Sequence, residues 1–184
     1  MNSKLYFCPT CNREEISEIK TITEQYEIKG EKFNVKANIR FCSKCDEELY
    51  DFELEQKTIV GAYNAYRETH GLLFPDQIKN LRETYGLSAT SFSKLLGFGE
   101  KTITRYENGA LQDNAQNNLM VLMEDLYSFK MLWERNKSVL TTKEINKVNQ
   151  IIVKFCTSKL VLLYSAETES EYRIKKEYKT YDMR

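Results

Sequence analysis

Four of the five cysteines fall into two pairs of identical spacing. Cys8 and Cys11 sit in FCPTC, Cys42 and Cys45 in FCSKC, and thirty residues lie between the pairs. A two-residue spacer lets a tight turn aim both sulfurs at one point, so two such knuckles can bring four thiolates to a single tetrahedral Zn²⁺. Four cysteine ligands without a histidine suggest a closed, structural site, because catalytic zinc keeps an open position. Other chemistries use the same residues. A redox CxxC normally occurs once, at a helix start within a βαβ setting that is not evident here, and disulfides are rare in a cytosolic chain. A cysteine-only knuckle could also sense oxidation by releasing its metal, since the thiolate is the reactive form. Cys156 has no cysteine near it in sequence and reads as a core thiol on a helix.

The second group with chemical potential is GFGEKTITRYENG, residues 97–109. A helix end (FSKLLG) runs into a glycine turn, and a second short helix is stopped by Asn108-Gly109, as in a helix-turn-helix whose later helix enters the DNA major groove. If Ile103 and Tyr106 face the core, then Lys101, Thr102, Arg105 and Glu100 project outward. Arg105 is the candidate base reader, since a guanidinium matches guanine O6 and N7 bidentately. Lys101, one turn earlier, could read guanine or hold a phosphate, and Thr102 and Thr104 could meet a thymine methyl or a phosphate. Ser88, Thr90 and Ser91, near the start of the preceding helix, are candidate donors to backbone phosphate. Against this stands the bland reading that Lys101 and Arg105 are ordinary surface charges, with Arg105 paired to Glu107 or Glu100.

The elements that must position these residues are legible from periodicity. Between the knuckles, KTITEQYEIKGEKFNVKANIRF alternates like a β-hairpin about Lys29-Gly30, with Ile22, Tyr26 and Ile28 before the turn and Phe33, Val35 and Ile39 after it. About 50 residues lie near the lower limit for independent folding, which a metal would offset. Residues 51–73 read as a linker helix with Ile59, Val60, Tyr63 and Tyr66 on one face and Gly71 at its end. It could also cover the zinc-binding part or form a dimer seam. His70, the sole histidine, reads as a solvated residue at that helix end. From Pro75, Ile78, Leu81 and Tyr85 mark a helix closed by Gly86. Ser88 caps a second, with Phe92, Leu95 and Leu96 inward, and Ala115 to about Trp133 reads as one long helix with Leu119, Leu122, Met123 and Leu126 inward. Thr141 and Glu144 form a capping box for a further helix carrying Ile145, Val148, Ile151, Ile152, Phe155, Leu160 and Leu163. The tail, with Tyr172, Tyr178 and Tyr181 among its charges, could be an edge strand, a docked arm or disordered.

The expected fold class is therefore α+β. A zinc-binding β-hairpin domain (1–50) is followed by a linker helix (51–73), a helix-turn-helix DNA-binding domain (74–134), and a helical C-terminal extension with its tail (135–184). Charge excludes one class of partner binding: 27 basic and 27 acidic residues leave no net charge, unlike a non-specific nucleic-acid coat protein. DNA binding would then depend on local placement of a few cations, and a symmetric pair of helices would supply the affinity that bulk field does not. No apolar run approaches the length of a membrane helix and no signal peptide is evident, so the chain reads as cytoplasmic. With one histidine, no His-Glu metal motif and no glycine-rich phosphate loop, the apparatus of an enzyme is not apparent, and none is expected.

The order of a CPxC…CxxC knuckle domain and an Xre-type helix-turn-helix resembles the YgiT-type zinc-finger antitoxins. The resemblance rests on residues 8–45 by cysteine pattern and 75–126 by helix pattern, and Arg105–Gly109 (RYENG) looks like the family's R-Y-E-x-G. It implies one structural zinc on Cys8, Cys11, Cys42 and Cys45. It implies also an N-terminal domain that binds a cognate toxin, and a homodimer in which Arg105 reads a base of an inverted-repeat operator. Lys101 stands where the family's best-known member has a base-reading asparagine, so the operator implied is a different one. Helix 2 has Ser88-Ala89-Thr90 where a glutamine is often found, and the chain runs on some fifty residues beyond the helix-turn-helix. The same architecture would also serve a phage or mobile-element repressor without a toxin, or a thiol-based redox-sensing regulator.

Overall fold

The structure, a computed structural model, describes residues 5–155 and 157. Cys156, Leu160, Leu163 and the tyrosine-bearing tail lie outside the described residues. Four strands form one antiparallel sheet in sequence order: β1 (Leu5–Cys8), β2 (Arg13–Ile28), β3 (Glu31–Cys42) and β4 (Glu48–Leu49). Helices follow: α1 (Phe52–His70), α2 (Pro75–Thr84), α3 (Ala89–Leu95), α4 (Thr102–Glu107), α5 (Asn114–Leu122), α6 (Leu126–Asn136) and α7 (residues 142–155). The fold is α+β, as the residue pattern implies. No helix among the described residues is long and apolar enough to cross a membrane.

The chain divides into two compact units. One comprises Met1–Asp76 with Arg105–Asn117, the other Gln77–Thr104 with Asn118–Arg184. In the first, β2 and β3 pair from Ser17↔Cys42 to Ile28↔Glu31 around a two-residue turn. Lys29 (φ 51°) and Gly30 (φ 85°) both take the positive φ that such a tight hairpin turn requires. α1 begins at Asp51, whose carboxylate accepts the Glu53 and Leu54 N–H groups, and ends at Gly71 in the left-handed conformation (φ 61°). It lies on the hairpin through Thr58, Ala62 and Tyr66, packed with Ile28, Val35 and Leu72. This seam differs from the face expected from periodicity, since Val60 and Tyr63 are exposed. The small Ala62 and a Thr58 whose hydroxyl is returned to Leu54 O let the helix approach the sheet closely. His70 stacks on Tyr66 at 4.1 Å and meets Glu31 at 3.0 Å.

The first unit also holds the turn that closes α4. Gly109 N–H bonds to Tyr106 O and Ala110 N–H to Arg105 O, the paired bonds of a Schellman ending, with Gly109 at φ 97°. Arg67, on α1 and 1% exposed, donates from Nη2 to Gly109 O at 2.6 Å and Ala110 O at 3.4 Å. Leu111 packs against the α1–hairpin core, and Gln112 Nε2 donates to Leu73 O. Asn117 accepts the Leu73 N–H and donates to Gly71 O.

In the second unit the core is Ile78, Leu81, Tyr85, Phe92, Leu95, Ile103, Met120, Met123, Phe129, Trp133, Val148 and Ile152, all under a tenth exposed. The expected long helix from Ala115 to Trp133 is broken into α5 and α6. Tyr85 OH takes the Met123 carbonyl at 2.6 Å, and the Asp125 carboxylate caps the Ser128 N–H at 2.8 Å, so the helix ends and a new one starts. Leu122, expected inside, is 57% exposed as a result, and Met120 takes the buried place. The capping box of α7 forms: Glu144 accepts the Thr141 N–H at 3.0 Å and returns its own N–H to Thr141 Oγ1 at 3.4 Å. Val148 and Ile152 bury one face of α7, while Phe155 is 43% exposed.

Candidate functional site

The two cysteine knuckles close on each other where β1 enters the sheet. β1 pairs with the start of β2 and β4 with the end of β3, so each knuckle is a turn between paired strands. The residue after each pair, Asn12 (φ 52°) and Asp46 (φ 62°), takes the left-handed conformation that reverses the chain. The first sulfur of the first knuckle accepts a backbone N–H, Cys11 N to Cys8 Sγ at 3.4 Å. The N–H groups of Cys45 and Lys44 do the same for the Cys42 thiol and draw it down to about 7. The Cys11 thiol, bonded chiefly to Cys45, is pushed up to about 12.

The sulfur atoms of Cys8, Cys11, Cys42 and Cys45 all lie within 4.8 Å of one another, and Cys8 Sγ is 3.5 Å from Cys45 Sγ. All four are free cysteines, not disulfides. The 3.5 Å separation is close to the roughly 3.8 Å edge of a tetrahedron with metal–sulfur bonds of about 2.3 Å. Four thiolate donors with N–H groups aimed at the sulfurs fit a thiolate-binding metal ion. Cys8 and Cys42 are fully buried, and with Leu49 they are the core of this end of the sheet, flanked by Tyr6 and Cys11.

Beside the cluster lies a polar network that the spacing of residues does not reveal. Arg40, 8% exposed, donates to Asp51 at 2.9 Å and to Ser17 at 3.0 Å and lies 4.0 Å over the Tyr6 ring. Tyr6 OH donates to the same Asp51 oxygen at 3.0 Å. Burial raises the Asp51 carboxyl, but the bonds from Arg40, Tyr6 and the Leu54 N–H outweigh it and leave it below its ordinary value. The one legible signal was Asp51 itself, an N-cap residue followed by acidic Glu53 and Glu55.

The second group of residues lies on α3 and α4. Ser88 caps α3, accepting the Ser91 N–H. Gly97 (φ 74°) turns the chain, and the buried Ser93 hydroxyl accepts the Ile103 N–H at 3.1 Å, fixing the start of α4. Ile103 is fully buried and Tyr106 nearly so, leaving Lys101, Thr104 and Arg105 exposed and Thr102 half-buried. The side chains of Lys101 and Arg105 form no ion pair among the described residues, and Glu100 is taken by Lys94 at 2.9 Å. Ser88 and Thr90 are exposed, whereas Ser91 is 7% exposed and its hydroxyl donates to Glu144 of α7. That acid is held below its ordinary value by this bond and by those from Thr141.

Among curated proteins, none matches the chain. A family model described as the antitoxin component of bacterial toxin–antitoxin systems, MqsA, matches residues 6–128, a span that takes in the cysteine cluster, the sheet, α1 to α5 and the start of α6. Two thirds of the chain thus follows that family's pattern, with the four cysteines drawn together, and the chain belongs to the MqsA antitoxin family.

Proposed function

We propose that this chain is the antitoxin of a type II toxin–antitoxin system that binds its toxin and, as a homodimer, binds an inverted repeat in its own operon and represses it. One structural Zn²⁺ per chain is held by Cys8, Cys11, Cys42 and Cys45. The reading assigns binding, not catalysis, to the chain. For the DNA half it rests on one observation. Thr104 and Arg105 project from α4 and Lys101 from the turn just before it, while Ile103 and Tyr106 anchor the helix, which is fixed to α3 through Ser93 after a glycine turn. Exposed Ser88 and Thr90 add hydroxyl donors for phosphate.

The test is binding to a duplex from the region upstream of the chain's own gene, titrated against salt. Arg105→Ala should weaken that complex by about 1–3 kcal/mol and a scrambled duplex much less. An equal loss on both would make Arg105 a phosphate contact, and no binding to either at low salt would remove the repressor role. Co-expression with the adjacent gene product, scored for growth rescue and co-purification, tests the toxin half.

A further inference from the structure

Arg67 is the anomaly of the first unit. It is a guanidinium 1% exposed to solvent, yet no carboxylate among the described residues bonds to it. Its partners are Asn64 Oδ1 at 3.0 Å and the carbonyls of Gly109 and Ala110, and its Nε is buried without a hydrogen bond. A buried cation with only neutral partners carries a heavy desolvation cost, and a neutral side chain could fill the same volume. The carbonyls it holds are not arbitrary. They belong to the turn that ends α4, and Ala110, whose carbonyl Arg67 holds, gives its own N–H to Arg105 O at 2.9 Å. The path from Arg67 to the backbone of Arg105 therefore runs through one residue. The same turn is held on its far side by Gln112 to Leu73 O and Lys29 to Gln112 O.

We infer that Arg67 is a positioning residue for DNA reading: from α1 it sets the C-terminal turn of α4 and with it the reach of Arg105. The inference rests on the DNA-binding reading above. A bidentate arginine–guanine contact tolerates little displacement, so loosening the turn removes discrimination first and backbone affinity last. Arg67 touches no DNA in this account; it acts through Arg105.

A double-mutant cycle tests it, with the full chain, the upstream duplex and a scrambled duplex of equal length. Arg67→Met should weaken the upstream complex about tenfold and leave the scrambled complex within about twofold. Arg67→Lys, which can still reach one carbonyl, should fall between. In the Arg105→Ala background Arg67→Met should cost nothing further, because the contact it positions is already gone. Additive losses, or equal losses on the two duplexes, would overturn the inference and reduce Arg67 to a packing role. If Arg67→Met does not fold, Arg67→Lys carries the same cycle. A wild-type chain that binds both duplexes alike would instead refute the DNA-binding reading, and the inference with it.

Discussion

Replacing Asp51 by alanine tests the network that joins the sheet to α1. One oxygen of Asp51 caps the Glu53 and Leu54 N–H groups, and the other accepts from Arg40 and Tyr6. Losing the cap costs about 1 kcal/mol. Loss of the Tyr6 hydroxyl's bond to Asp51 adds about 1 kcal/mol. Arg40, left with Ser17 as its polar partner, adds about 3 kcal/mol if it stays dry. It does not stay dry, because Arg40 and Asp51 line a groove of about 410 Å³ open to solvent, and water there recovers part of the loss. The net expectation is a loss of about 3–4 kcal/mol for Asp51→Ala. Asp51→Asn, which keeps the cap but not the charge, should lose about 2 kcal/mol, and Tyr6→Phe about 1 kcal/mol. Urea unfolding followed by far-ultraviolet circular dichroism gives the three values. If Asp51→Ala cost no more than Tyr6→Phe, Arg40 would not depend on Asp51.

Two further outcomes follow from other parts of the fold. Chelation, or Cys42→Ser, should abolish amide protection in β1 and β4, whose core is Cys8, Cys42 and Leu49, while the emission of buried Trp133 stays unshifted; protection that survives loss of metal would contradict this. Glu144 is held below its ordinary value by Ser91 first and then Thr141, so its folded pKa lies below its unfolded one. Its contribution is therefore complete above the unfolded value of about 4.3 and is lost as pH falls through the folded one, and the melting-temperature gap between wild type and Glu144→Gln should close in acid. A gap that widens in acid would reverse that sign.

Much of this molecule is legible in its residues because local chemistry decides those parts. The CxxC spacers, Lys29-Gly30, Ser88, Gly97, Gly109 and the Thr141–Glu144 box are each read locally, and each takes the expected turn or cap. The inward placement of Ile103 and Tyr106 follows from spacing alone. What periodicity misses is set by partners far along the chain. The break between α5 and α6 depends on a tyrosine hydroxyl from residue 85, and the seam of α1 depends on which residues the hairpin can accept. Ser91 looks like a free donor until Glu144, 53 residues on, takes its hydroxyl. Nothing local in the sequence marks Arg67 or Arg40 for burial, and their partners lie far along the chain.

The turn after α4 also bears on how this chain can be dissected. Reading along the sequence, the natural cut falls after α1, and everything downstream looks like a transferable DNA-binding cassette. Yet the Gly109 and Ala110 carbonyls find their donor on α1, Gln112 and Asn117 find their hydrogen-bond partners between residues 71 and 73, and Leu111 finds its apolar neighbours on the hairpin. A fragment that starts at residue 75 would carry these groups with water as their only substitute. Swapping α4 and the turn after it between relatives therefore means exchanging α1 and the hairpin tip as well, because the piece that inherits as a unit is not contiguous in sequence.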